Sequence, residues 1–226
     1  MRRFVFIYAR TDSHRLPGKV LLPLGGRAVL DIVCDRARRV PVDGWALLTS
    51  ARPVDDGLAS HAKERGLRVI RGDANDLITR TLQAITETEA TCFLRLNADS
   101  PLFEPSMAVW AMQRMGRYRL VSNLFERRFP YGVAVEWVDS ELYREFARHA
   151  QKKEVEHVTQ HLYRLASEIE TLSIEQRRDD SDLRLTLDNA EDRLRLGRLV
   201  EKGNISVDPY WALLDREAPT FTARKV

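Results

Sequence analysis

Arg10, Ser13, Arg15 and Lys19 fall within one polar loop that follows directly on the apolar run Phe4-Val5-Phe6-Ile7-Tyr8. Such a run is the pattern of a strand buried on both faces, and Pro17-Gly18 punctuates the loop as a turn. Cations and a hydroxyl gathered at the end of a buried strand call for a counter-charge. A phosphate chain supplies one, because Arg grips phosphate bidentately and Lys acts as a compact point charge. A solvated basic loop is the plain alternative, and residue types alone leave the two readings level. Two carboxylates stand at comparable places further on. Asp99 ends an apolar run and precedes Ser100-Pro101, while Asp188 ends the run Leu185-Thr186-Leu187 and opens a helical pattern. Carboxylates from separate strand ends could converge on one hard cation such as Mg2+, which needs only one or two protein oxygens beside water and phosphate. Taken by spacing, Asp188 before Asn189-Ala190-Glu191 reads first as a helix cap, and Asp99 as an ordinary turn residue. His157 and His161 lie four apart on one face of a predicted helix, with Glu154 near them, but two ligands without a clear third do not make a zinc site. The D-x-D within Asp179-Asp180-Ser181-Asp182 has no apolar strand ahead of it and reads as a solvated acidic turn.

The elements that must position these residues alternate. Strands are predicted from residue 4 and over 45–49, 67–70, 91–96, 119–122, 132–137, 168–174 and 183–187. Helices are predicted over 27–39, 54–65, 76–87, 105–115, 140–150, 153–166, 189–201 and 207–214, ahead of a loose tail. Strand-helix alternation argues for an α/β layered sheet. No repeat, linker or low-complexity stretch divides the chain, so residues 1–226 read as one domain. Residues 123–175 are expected to form a small lobe over one end of the sheet.

With 36 basic and 33 acidic residues the formal net charge is +3, too small an excess to imply nucleic acid, and no basic run is interleaved with aromatics. It suits an anionic small substrate. Cys34 and Cys92 lie in apolar stretches and read as buried thiols of a reducing compartment. Met1-Arg2-Arg3 leads straight into the first strand, leaving no room for the apolar region of a signal peptide. No run approaches membrane-spanning length. A cytoplasmic protein with no membrane insertion is expected.

Ala9-Arg10, Ser13 and Arg15-Leu16-Pro17-Gly18-Lys19-Val20-Leu21 resemble the N-terminal nucleotide-binding signature of the cytidylyltransferases, A-R-x-G-S-x-R-L-P-G-K. That group includes the CMP-sugar synthetases and the spore-coat-polysaccharide cytidylyltransferases. Further stretches follow in family order. Leu48-Thr49-Ser50 with Asp55-Asp56, Arg71-Gly72 with Asp76 and Arg80, and Arg95 to Leu102 (R-I-T-G-D-C-P-L) each resemble a family segment. So do Ser122-Asn123 with Pro130 to Glu136 (S-N…P-D-G-L-D-V-E), Glu156-His157-Val158-Thr159, and Leu185 to Asp188.

The resemblance implies a three-layer α/β/α nucleotidyltransferase sandwich, akin to the nucleotide-diphospho-sugar transferases, with a mostly parallel central sheet. It implies CTP as substrate, Mg2+ as cofactor, an anionic sugar acid or phosphonate as acceptor, and a homodimer assembled through the lobe. Ala9, Arg10, Ser13, Arg15, Lys19, Arg71 and Asp99 would bind the nucleotide, with Arg15, Lys19, Asp99 and Asp188 as the catalytic set. Asp99 and Asp188 would hold the metal. Asn123, Gly132, Glu136 and His157 would bind the acceptor. Asp12 stands where the family has Gly, and Tyr131 and Ala134 where it has Asp. Losing two carboxylates at the acceptor end points to a different acceptor or a silent nucleotide-binding homologue. A nucleotide-sugar-dependent glycosyltransferase is the other rival, but Asp99-Ser100-Pro101 does not supply its D-x-D.

Overall fold

The computed structural model describes all 226 residues. In chain order its elements are β1 (Arg3–Tyr8), β2 (Pro23–Leu24), β3 (Arg27–Ala28), α1 (Val29–Ala37), β4 (Gly44–Ser50), α2 (Asp56–Glu64), β5 (Arg68–Gly72), α3 (Leu77–Thr88), β6 (Cys92–Asn97) and α4 (Pro105–Met112). There follow β7 (Leu120–Ser122), β8 (Glu136–Asp139), α5 (Ser140–Ala147), α6 (Gln160–Arg164), β9 (Thr171–Glu175), α7 (Ala190–Val200), α8 (Tyr210–Leu213) and β10 (Thr222–Lys225). Eight strands form one sheet in the order β10-β9-β7-β8-β6-β1-β4-β5. Only β8 and β10 run against the rest.

Alternation along β1 shows why the sheet needs cover on both faces. Val5 and Ile7 pack into a core shared with α1, α2, α4, α7 and α8. Phe4, Phe6 and Tyr8 pack oppositely, among residues of α3, α5 and α6. This is the three-layer sandwich. From β1 the chain steps to β4 and β5 on one side, then returns to place β6 on the other. The crevice at the carboxyl ends of β1 and β6 is therefore the topological switch point, where open α/β sheets bind ligands. The loop carrying Arg10 to Lys19 and the turn carrying Asp99 both leave the sheet there.

Four of the predicted elements are corrected. The predicted strand over 183–187 is an extended clip, not a sheet member. It pairs only at a bridge between Tyr131 and Arg184, burying Leu185 and Leu187 while its backbone serves other ends. The strand expected over 132–137 begins only at Glu136, because the Asn123 side chain takes over its first ladder positions. That amide donates to Val133 O at 2.6 Å and accepts from Val135 N at 2.9 Å. The helix expected over 153–166 breaks into the 3-10 turn Lys152–Glu154, a bend, α6 and a second 3-10 turn. The tail is not loose, since β10 pairs antiparallel with β9 at the sheet edge; Thr-Ala-Arg-Lys is too polar to announce a strand. The strands β8 and β9, both inside the stretch expected to form a lobe, belong to the central sheet. Cys34 and Cys92 are buried as expected, and burial pushes both thiols up to about 12.

Candidate active site

Ala9 ends the β1 run, buried, and donates its N–H to Leu48 O at 3.2 Å. The loop beyond it is anchored at both ends. Thr11 donates its N–H and its hydroxyl to Asp55, at 2.8 and 2.7 Å. Gly18 donates its N–H to Thr11 O at 2.7 Å. Gly18 adopts φ +67°, which residues with a Cβ rarely tolerate, and from it a 3-10 turn over Lys19–Leu21 aims Lys19 inward. Burial opposes the charge on Asp55, yet hydrogen bonds from Ser50 and Thr11 outweigh it and hold the carboxyl below its usual value. Arg10 reaches Ala74 O at 2.7 Å. Arg15 is exposed, and Ser13 is half-buried on the same loop. Arg71, at the end of β5, donates to Ser50 O at 2.9 Å and Arg52 O at 2.8 Å and pairs with Asp56 at 2.7 Å. It clasps the loop after β4 and stands apart from the cleft that holds Asp99.

Asp99 and Asp188 converge. The ammonium of Lys19 lies 2.6 Å from Asp99 Oδ2 and 2.7 Å from Asp188 Oδ1. A stand-in cation thus already sits where both carboxylates reach, and the oxygen donors suit a hard divalent ion whose remaining ligands would be phosphate and water. Burial works against the ammonium, but the two carboxylates raise the Lys19 pKa. Burial likewise opposes the Asp188 charge, and Lys19 and Arg184 more than offset it, so that carboxyl lies below its usual range. Asp188 is not the helix cap that spacing suggested. Asn189 caps α7 by accepting from Asp192 N at 2.9 Å, which leaves the Asp188 carboxylate facing the site. The extended clip holds it there: Leu187 N and Thr186 Oγ1 bond Asp99 O at 2.8 and 3.1 Å.

Beside this pair opens a cleft of about 790 Å³. Asp99 lines it together with all four residues expected at the acceptor end, Asn123, Gly132, Glu136 and His157. Their roles in the architecture differ. Asn123 is fully buried with its amide committed to the backbone. Gly132 has φ +104°, and a Cβ there would lie 2.7 Å from the Leu185 and Thr186 backbone, so glycine is required for the clip to dock. Glu136 is buried as the cleft floor, with Oε2 2.8 Å from Arg95 and Oε1 taking the hydroxyls of Thr159 at 2.7 Å and Tyr163 at 2.9 Å. His157 is exposed on the rim. Arg95 and Asn97 take alternate positions at the end of β6, as the period of a strand requires, and Asp99 and Ser100 in the turn beyond them also line the cleft.

The two histidines do not form a metal pair. His161 is fully buried in the second core, edge-on to Tyr143 at 5.3 Å, with neither ring nitrogen hydrogen-bonded. Burial holds its pKa down to about 4 from an ordinary 6.5, against a weaker opposing pull from Glu154. Between those values the unfolded chain binds more protons than the folded one, so stability falls as pH drops through that window. The thermal midpoint is expected to decline between about pH 6.5 and 4, and His161→Phe should flatten the decline. An equal decline in that variant would assign it to other groups. The D-x-D stretch is not a solvated turn either. Asp180 is fully buried, paired with Arg178 at 2.8 Å and with Arg216, and so ties down the C-terminal segment.

Sequence reasoning missed the groups that orient the site. Arg184 bonds Asp188 Oδ2 at 2.6 Å and Asp192 Oδ1 at 2.8 Å, and its guanidinium lies 4.9 Å from the Tyr131 ring centroid. Arg184 and Asp188 are four apart, but helical spacing does not account for their contact, because Arg184 lies in the extended clip and of the three only Asp192 lies in α7. Asp55 stood in the stretch with Ser50 that resembles a family segment, but its anchoring of Thr11 left no local trace, because Thr11 lies 44 residues away on the loop after β1.

The family model for cytidylyltransferases matches residues 4–196. The chain is 29% identical over 240 aligned residues to the spore coat polysaccharide biosynthesis protein SpsF of Bacillus subtilis (strain 168), covering 97% of this chain and 96% of that protein. Among solved structures, a cytidylyltransferase from Leptospira borgpetersenii serovar Hardjo-bovis (strain JB197) superposes with a TM-score of 0.89 at 28% identity, over 95% of this chain and 93% of that one. CMP:2-keto-3-deoxy-manno-octonic acid synthetase complexed with CTP shares the fold, with a TM-score of 0.65 at 17% identity over 89% of this chain and 99% of that one.

Proposed function

The chain belongs to the cytidylyltransferase family and is a nucleotidyltransferase, and from that premise we propose that it transfers CMP from CTP to an anionic small-molecule acceptor with release of pyrophosphate. The acceptor class is a sugar acid of the sialic or ulosonic type, or a phosphonate, and the name of the SpsF relative supports a place in polysaccharide biosynthesis. The observation that carries this reading is the convergence of Asp99 and Asp188 on Lys19 at the switch point of the sheet, between a cation-rich loop and an acceptor-sized cleft.

In the reaction an acceptor oxygen forms a bond to the α-phosphorus in line as the bond to the bridging oxygen of the β-phosphate breaks, and pyrophosphate departs. Positioning and charge neutralisation carry most of such a rate. Arg10, Ser13, Arg15 and Lys19 bind the triphosphate and offset charge on the leaving group. Ala9 and Arg71 shape the nucleotide's seat beside them. Asp99 and Asp188 would hold Mg2+, which when bound neutralises the α-phosphate. Lys19, released from the two carboxylates, turns to the phosphates. The cleft floor of Glu136 and Arg95, with Asn123, Gly132 and His157 around it, orients the acceptor.

CTP is expected to raise the thermal midpoint more than UTP or ATP, and more with Mg2+ than without, because a ligand of the native state alone stabilises it. Pyrophosphate release with CTP and a panel of acidic acceptors then identifies the acceptor. Equal shifts for all nucleotides, or none, would sink the assignment.

A further inference from the structure

We propose that Arg52 is a triphosphate-binding residue whose charge Asp12 occupies until the nucleotide arrives; this rests on the CTP reading above. Asp12 lies between two guanidinium groups. Arg52 Nη2 bonds its Oδ2, and Arg10 Nε lies 3.6 Å from its Oδ1. The hydrogen bond from Arg52, with the nearby charge of Arg10, holds the Asp12 carboxyl below its usual value against the opposing effect of burial. Oδ1 is shut off from solvent yet accepts no hydrogen bond, so the Arg10 side of the arrangement is only loosely made.

Two guanidiniums flanking one carboxylate is the arrangement that also takes a phosphate, since carboxylate and phosphate offer the same paired oxygens to an arginine fork. Arg52 is suited to the exchange. Its backbone is pinned, with its carbonyl accepting from Arg71 at 2.8 Å and its N–H reaching Ser50 Oγ at 3.3 Å. Its side chain remains 45% exposed. Exposed ion pairs of this kind contribute little to stability, so the pair is easily traded for a more highly charged anion. The loop's other arginine, Arg15, is exposed, on the same strand-end loop. The arrangement mirrors Lys19 between Asp99 and Asp188. In the protein alone, a lysine fills the cation's place and an aspartate fills the anion's.

The test is calorimetric titration of CTP and of CMP, without divalent metal, into the parent, Arg52→Ala, Asp12→Asn and the double variant, with thermal midpoints for each. Arg52→Ala is expected to weaken CTP by about tenfold, the loss of one charge-assisted contact. It should leave CMP within about twofold, since CMP lacks the outer phosphates. Asp12→Asn should tighten CTP by about fivefold by removing a like charge, and Arg52→Ala should cost more in that background than in the parent. Arg52→Lys should restore part of the affinity. Midpoints should stay within about 2 °C, as for other surface substitutions in a chain of this size. Parent-like CTP affinity in Arg52→Ala overturns the proposal while leaving the nucleotide reading intact. Weakening by both single variants, with no further loss in the double, makes the pair a staple between two loops and also overturns it. Equal losses for CMP and CTP overturn it by placing Arg52 at the nucleoside end. A parent that binds no CTP removes the functional reading as well.

Discussion

Asp99→Asn and Asp188→Asn are each expected to reduce CTP-dependent pyrophosphate release by about a thousandfold while leaving secondary structure unchanged. Charge stabilisation by a metal held between carboxylates is worth several kcal/mol, and each 1.4 kcal/mol is a factor of ten in rate. The two side chains meet on one ammonium, at 2.6 and 2.7 Å, so they are expected to act as a unit. The double variant should then fall within about threefold of the worse single one, as residues sharing one task are strongly non-additive. A mere cap at position 188 would tolerate Asn, which caps as well as Asp. The structure gives the cap to Asn189 instead, so tolerance is not expected. An Asp188→Asn variant with full Mg2+-dependent turnover, measured by pyrophosphate release, would remove the carboxylate pair from the mechanism.

Glu136→Ala should have the largest effect on stability, about 3–5 kcal/mol, the range for leaving one member of a buried pair uncompensated. Arg95, Thr159 and Tyr163 all direct donors at this one carboxylate, and its side chain is fully buried. For a chain of this size that loss lowers the thermal midpoint by roughly 10 °C. Arg95→Met combined with Glu136→Leu should recover much of it, because buried pairs are often replaceable by apolar residues of similar volume. The recovered double variant is expected to retain CTP binding and to show a raised acceptor KM, since the altered residues line the cleft proposed to take the acceptor. A Glu136→Ala variant as stable as the parent in a thermal melt would show that the pair does not hold the floor.

The layer architecture was legible in the residue pattern, as was the polar loop that leaves the end of β1. Strands buried on both faces read as continuous apolar runs, as in Phe4 to Tyr8, and Gly and Pro mark where they end. The order of family-like segments from Ala9 to Asp188 was equally legible. Local pattern failed where a segment's partners are remote. Residues 183–187 alternate like a strand but find no ladder, and 222–225 look like a tail yet find one. Helical spacing placed His157 and His161 on one face, whereas the break before α6 puts one on the rim of the cleft and the other in the core. Only the tertiary structure brought Lys19 to carboxylates 80 and 169 residues away. It also set Asp12 against Arg52, 40 residues on. Charges so far apart in the chain leave no periodic trace, because what places them is the return of the chain from β5 to β6 beside β1 and the docking of a clip on Gly132. Local residue pattern specifies elements, and packing alone decides which ends of those elements share a site.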